Sequence, residues 1–233
     1  MIEIVFLDAG ETILHPHPSF PELFARTCLE HGYSVSPEEV APVLYGMVRD
    51  MGTVAAEIGV SAPSTTAAGS YALWTHIYRR CLDGLGITDD SLPDELYSVF
   101  SDSATYRLYP DALPAVDRLR QKGYRVGLIS NFEGWLEEML VELQAGDVFE
   151  VSVISGLVGV EKPDPRIYEI ALEQAGVEPQ AAAHVGDSVR LDVEPATSVG
   201  IKAVLLDRSG THPDAAWPTI RTLEELPALI SNL

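Results

Sequence analysis

The feature that most constrains this chain is the run Ile4-Val5-Phe6-Leu7, which ends abruptly at Asp8. Apolar residues without alternation read as a strand buried on both faces, here expected over residues 2–7. Such strands belong to parallel sheets covered by helices on either side. Asp8 adds nothing to packing. In open α/β sheets ligands sit beyond the carboxyl ends of the strands, so the position suits a reactive carboxylate. It equally suits an Asp that caps the next turn. On this stretch alone both readings stand.

The rest of the chain decides between them. From about Leu108 strands and helices alternate. A helix opened by Tyr109-Pro110-Asp111 reaches about Gln121 and stops at Lys122-Gly123, and a buried strand from Tyr124 to Ile129 ends in Ser130-Asn131. A helix carries Trp135, Leu136, Met139, Leu140 and Leu143 on one face. Val151 to Ile154 is a short strand, and Pro165 to Gly176 a helix. Ala182 to Val185 is a strand ending in Gly186-Asp187. Asp192 to Gly200 is a helix, Ile201 to Leu206 a strand, and Leu223 to Ser231 the last helix. Alternation of this kind implies a Rossmann-like α/β fold, a parallel sheet with helices on both faces.

Residues 19–104 have a different character. Phe20, Leu23, Phe24, Thr27 and Cys28 repeat at helical spacing. Ser36-Pro37-Glu38-Glu39 is a capping box with Pro at the first helical position, starting a helix to about Met51. Val60 to Gly69 reads as a loop. Trp74, Ile77, Tyr78, Cys81, Leu82 and Leu85 form one apolar stripe, and a further helix covers Leu92–Phe100. Ile13 to Pro18, with two prolines, reads as a loop carrying His15 and His17. The expected architecture is a core of residues 1–15 and 107–233 interrupted by an all-helical cap of residues 16–106.

Composition narrows the partners. There are 15 Lys and Arg against 35 Asp and Glu, a formal charge of −20. That excludes nucleic acid and anionic membrane, which need a basic face. A small anionic substrate is compatible where local cations or a metal offset the field. The two cysteines, Cys28 and Cys81, have no zinc or redox spacing and read as buried thiols. No run is long enough to span a bilayer, and no charged leader precedes an apolar segment. The expected setting is cytoplasmic; the oligomeric state is not set by the sequence.

Two carboxylates, a hydroxyl and one of only three lysines thus fall at or just after strand ends: Asp8, Asp187, Ser130 and Lys162. Asp8 and Asp187 would form a hard oxygen site suited to Mg²⁺. Asp192 opens the next helix, where the dipole favours an acid.

In these residues the chain resembles the haloacid dehalogenase superfamily, in its helical-cap subgroup. Phe6-Leu7-Asp8-Ala9-Gly10-Glu11-Thr12 is similar to the first motif, Leu128-Ile129-Ser130-Asn131 to the second, Lys162 in Glu-Lys-Pro-Asp to the third. His184-Val185-Gly186-Asp187-Ser188-Val189-Arg190-Leu191-Asp192 is similar to the fourth. The resemblance implies a hydrolase in which Asp8 is the nucleophile and forms an aspartyl-phosphate. Ser130, Asn131 and Lys162 would bind the phosphoryl group of a small phosphorylated substrate. Asp8, the Gly10 carbonyl and Asp187 would hold Mg²⁺, and Asp192 would orient Lys162 or a metal-bound water.

The chain departs from the pattern at one place. Phosphatases of the superfamily carry a second Asp two residues after the nucleophile, which protonates the leaving oxygen. Here that residue is Gly10; the next, Glu11, could in principle supply the acid instead, although a shift of one residue usually points a side chain elsewhere. Three readings follow: a Mg²⁺-dependent phosphatase that is slow or limited to good leaving groups, a dehalogenase, whose chemistry needs no such acid, and a non-catalytic phosphate-binding protein. The Gly186-Asp187 form of the fourth motif favours the first. A phosphonate-cleaving relative needs a cap lysine, and no Lys lies before residue 122. Tyr45, Trp74, His76, Tyr78 and Arg79 are the cap residues considered for substrate contact. For the aromatics core packing is the preferred reading.

Overall fold

The computed structural model describes all 233 residues. In chain order, β1 is Ile4–Leu7 and β2 Leu14–Pro16. Five helices follow: α1 Phe20–Glu30, α2 Pro37–Arg49, α3 Met51–Glu57, α4 Ala67–Gly84 and α5 Leu92–Phe100. Then come β3 Tyr106–Leu108, α6 Ala112–Gln121, β4 Arg125–Ser130, α7 Leu136–Glu142, β5 Val151–Ile154, α8 Ser155–Val158 and α9 Pro165–Ala175. β6 Ala182–Gly186 leads into a π-helical segment, Val189–Val193, and then α10 Glu194–Ser198. β7 Lys202–Leu206, β8 Thr219–Ile220 and α11 Leu226–Ile230 complete the chain. It divides into two compact units, residues 1–14 with 108–233 and residues 15–107.

The first unit is built on a six-stranded parallel sheet in the order β5-β4-β1-β6-β7-β8. It is a Rossmann-like fold with helices on both faces. β1 is central because all four of its residues are apolar and buried on both sides. It pairs with β4 on one edge and β6 on the other, in registers that set Leu7 beside Leu128 and Val185. From β1 the chain builds outward through β4 and β5, then returns to add β6, β7 and β8 on the other side. The strand order therefore reverses at β1, and ligands in such sheets bind at this switch point, beyond the carboxyl ends. Side chains alternate along each strand. Ile4 and Phe6 face a core shared with Ile167, Tyr168 and Ala171 of α9 and Ala196 of α10.

Gly127 of β4 lies where a Cβ would meet the Phe6 ring and the Val151 carbonyl, so only glycine lets β4 pack there.

The second unit is all helix apart from the ends of a two-stranded ribbon formed by β2 and β3. Leu23, Phe24, Leu44, Leu73, Ile77 and Phe100 lie in its core. Phe20 stacks on Phe100 at 4.0 Å between ring centroids. The Ser36 capping box forms as expected: Ser36 Oγ accepts from the Glu39 N–H, and Glu39 accepts from the Ser36 N–H.

Four expectations need correction. Leu14-His15-Pro16 is a strand rather than a loop. Pro16 sits at its end, where a missing N–H is tolerated. The helix expected to reach Met51 breaks at Asp50, and α3 follows. The segment from Val60 to Gly69 contains a 3-10 turn at Pro63–Thr65, and α4 starts at Ala67, where the Thr66 hydroxyl accepts from the Gly69 N–H. Asp192 does not open an α-helix; it lies inside the π-helical segment.

Candidate active site

Every candidate from the strand ends belongs to the first unit. β1 delivers Asp8, whose N–H donates to the Val185 carbonyl at 2.9 Å, extending the pairing one residue past the strand. The chain then curls. The N–H groups of Thr12, Ile13 and Leu14 all point to the Ala9 carbonyl, at 3.2, 2.9 and 3.1 Å. This tight curl puts Glu11 at φ +54°, the left-handed region that side chains rarely adopt. No N–H of the chain takes the Gly10 carbonyl.

Lys162 is the pivot of the site. Its Nζ donates to Asp8 Oδ1 and to Asp192 Oδ1, each at 2.6 Å, with all three side chains buried. Its backbone is held by Asn131: Oδ1 accepts from the Lys162 N–H at 2.6 Å, and Nδ2 donates to the Lys162 carbonyl at 2.8 Å. The Asn131 amide thus faces the lysine's backbone. Ser130, at the end of β4, is buried, and no protein group takes its hydroxyl.

Asp192 is placed by the π-helical segment. The wider turn swings its carboxylate back toward β6, as such bulges do at functional sites. Its Oδ2 accepts from the Ser188 N–H at 3.0 Å, and its Oδ1 meets His184 Nε2 at 3.0 Å as well as Lys162. A Cβ at Gly186 would run into this carboxylate, so glycine is required there.

The charges are coupled. Burial pushes the Asp8 carboxyl up, and Lys162 pulls it back only in part. For Asp192 burial is outweighed by the Lys162 charge and the His184 contact, which hold it below the usual carboxylate range. Burial opposes the Lys162 charge, but Asp192 and Asp8 raise its pKa overall. Asp187 differs. Burial, then the Asp192, Asp8 and Glu11 carboxylates, push it well above its ordinary range. No protein donor approaches its carboxylate.

Oxygens of Asp8, Asp187 and Asp192 lie within 4.8 Å of one another. Asp192 already has a donor on each oxygen. Asp8 and Asp187 therefore remain as the carboxylates able to hold a hard divalent cation, and Mg²⁺ takes such oxygen ligands.

A second layer was not legible as a site. Tyr109 donates to Glu11 Oε2 at 2.8 Å, and the Arg208 guanidinium lies 3.9 Å from the Tyr109 ring centroid. Arg208 makes two bonds to Asp111, at 2.9 Å each, and one to the Thr12 carbonyl at 2.8 Å. Arg208 lies two residues past β7, where no local pattern marks it. His184, quoted above only within the fourth motif, is a histidine inside the apolar run of β6, which is itself a signal of a buried polar partner.

In the second unit, Tyr78 is core, Trp74 stacks on it, and Arg79 is paired with Asp90 at 2.7 Å. His76 lies 3.9 Å from Glu57, and Tyr45 is exposed. His15 and His17 meet edge to face on the β2 side of that unit.

A family model described as haloacid dehalogenase-like hydrolase matches residues 2–200. The chain belongs to that family. Among its relatives, mouse (Mus musculus) haloacid dehalogenase-like hydrolase domain-containing protein 3 is 29% identical over 224 residues, covering 95% of this chain and 88% of that one. A phosphoserine phosphatase of Thermus thermophilus is 29% identical over 237 residues, covering 94% and 95%. In fold, the L-2-haloacid dehalogenase of Xanthobacter autotrophicus superposes with a TM-score of 0.69 at 19% identity, covering both chains fully. The protein is therefore a haloacid dehalogenase-like hydrolase, with a named phosphatase among its relatives and a dehalogenase among its structural neighbours.

Proposed function

We propose that this hydrolase is a Mg²⁺-dependent phosphatase of small phosphorylated metabolites, working through an aspartyl-phosphate on Asp8. The observation that carries the reading is the unequal treatment of the carboxylates. Asp8 and Asp192 share Lys162, whereas Asp187 has no protein donor although its oxygen lies within 4.8 Å of those of Asp8 and Asp192. A dehalogenase needs no cation and gains nothing from that arrangement. A cation held by Asp8, the Gly10 carbonyl and Asp187 would offset this charge and that of the incoming phosphate.

Asp8 attacks phosphorus, and the phosphoryl group passes to its carboxylate as the leaving oxygen departs as an alkoxide or aryloxide, which then takes a proton from water. Lys162 and the Ser130 hydroxyl bind the phosphoryl oxygens and stabilise the spreading charge. Asn131 holds the Lys162 backbone so that its ammonium stays at Asp8. Water then attacks the acyl phosphate and releases inorganic phosphate. Gly10 supplies no proton to the leaving oxygen, so the rate follows the leaving group. The helical second unit serves as the cap that selects the substrate. Its two free cysteines are buried, with thiols pushed up to about 11 and about 12, and suit a reducing cytosol.

The test is phosphate release from a series of aryl and alkyl phosphates, with and without Mg²⁺. The account expects metal-dependent turnover that falls steeply as the leaving group's pKa rises. Halide release from 2-haloacids without metal, and no phosphate release, would replace it with the dehalogenase reading.

A further inference from the structure

The mechanism above leaves a buried polar group beside Asp192 without a task. His184 is fully buried in β6, and in register with Phe6 it faces the α9 side of the sheet. The Tyr168 ring packs against it edge to face, with centroids 5.2 Å apart. Nε2 lies 3.0 Å from Asp192 Oδ1, and Nδ1 is buried without a partner. A carboxylate beside an ammonium only accepts, so the ring's proton must sit on Nε2. An orphan Nδ1 lone pair also costs less than an orphan buried N–H would, since unmet donors are the rarer case.

Oδ1 of Asp192 therefore receives two donors, His184 Nε2 and Lys162 Nζ. Lys162 is shared evenly, at 2.6 Å from each carboxylate. Two donors on one acceptor oxygen compete for the same lone-pair density, so each additional donor lowers the pull of that oxygen on its other partner. We propose that His184 is a positioning residue: by donating to the Asp192 oxygen that holds Lys162, it keeps the ammonium shared with Asp8. Without it, Asp192 holds the lysine more tightly and draws it away from the reacting phosphoryl group. Tyr168 helps fix the device, since its hydroxyl donates to the Leu191 carbonyl at 2.6 Å and ties α9 to the π-helical segment.

The chain has three lysines, so ¹⁵N-lysine labelling makes the Lys162 Nζ resonance legible. In wild type, ¹⁵N correlation spectra should show the His184 proton on Nε2; a proton on Nδ1 overturns the proposal. His184→Leu removes the donor, and His184→Gln restores an N–H at the same reach. The Leu variant should shift the Lys162 Nζ resonance and lower kcat by about 10²-fold with KM little changed, the Gln variant recovering both. A folded Leu variant with wild-type resonance and kcat overturns the inference, as does a Gln variant no better than Leu. If the Leu variant does not fold, the tautomer decides. The kinetic arm rests on the phosphatase reading, whereas the resonances do not. Expected resonances in a protein that hydrolyses no phosphate ester would refute that reading and support this one.

Discussion

At the scale of single residues, Gly10 and Glu11 set the character of the site. A Cβ added at Gly10 meets nothing within 4 Å, and its backbone is not in the left-handed region. The missing acid is thus not forced by space. Gly10→Asp should therefore fold and raise kcat on alkyl phosphates by about 10²-fold or more, with less effect on aryl phosphates. Equal effects on both classes would show that leaving-group protonation is not what Gly10 omits. Glu11 does not stand in simply, because Tyr109 already donates to its carboxylate. Asp8, Ser130, Lys162 and Asp187 were legible because each is a polar residue ending or following an apolar strand. Tyr109, Arg208 and His184 were not, since their partners lie 8 to 196 residues away and no local pattern marks them.

At the scale of elements, the π-helical segment after β6 matters most. Spacing suggested an ordinary helix from Asp192, because a π-helical segment differs from an α-helix by a single residue per turn. What the sequence does show is Gly186, required because the Asp192 carboxylate fills the space of its Cβ. Gly186→Ala should displace Asp192, release Lys162 and abolish turnover. Calorimetry should show a lower Tm as well, since a buried charge pair is disturbed. An unchanged Tm with full activity would contradict the placement. The loop before α9 depends on the Asn131 amide in the same way. Asn131→Ala should cost about 1–3 kcal/mol by leaving buried backbone groups unpaired, read from denaturant midpoints. The alternation of strands and helices was readable for most of the core, but β8, two residues long, was not. So short a strand exists only because β7 offers it an edge.

At the scale of the whole molecule, a discontinuous core needs ties between distant segments. Arg208 and Asp111 supply one: burial opposes the Asp111 charge, but the Arg208 bonds and the Leu223 N–H hold its carboxyl below the usual range. A depressed folded pKa stabilises the protein above the unfolded value, and the gain is lost as pH falls through the folded one. Asp111→Asn should therefore destabilise the protein at neutral pH. The difference should shrink as pH falls below about 4, as urea melts at several pH values would show. The charge of −20 acts on every anionic substrate. Added neutral salt should raise kcat/KM for a dianionic ester by screening that field. No helix is long and apolar enough to cross a membrane. The central claim is that Asp8 carries the phosphoryl group, and acid-quench mass spectrometry of the protein during turnover of an aryl phosphate tests it most directly. Phosphate on the Asp8 peptide, released by hydroxylamine and absent from Asp8→Asn, is the expected result. No adduct there, with turnover persisting in Asp8→Asn, would contradict it.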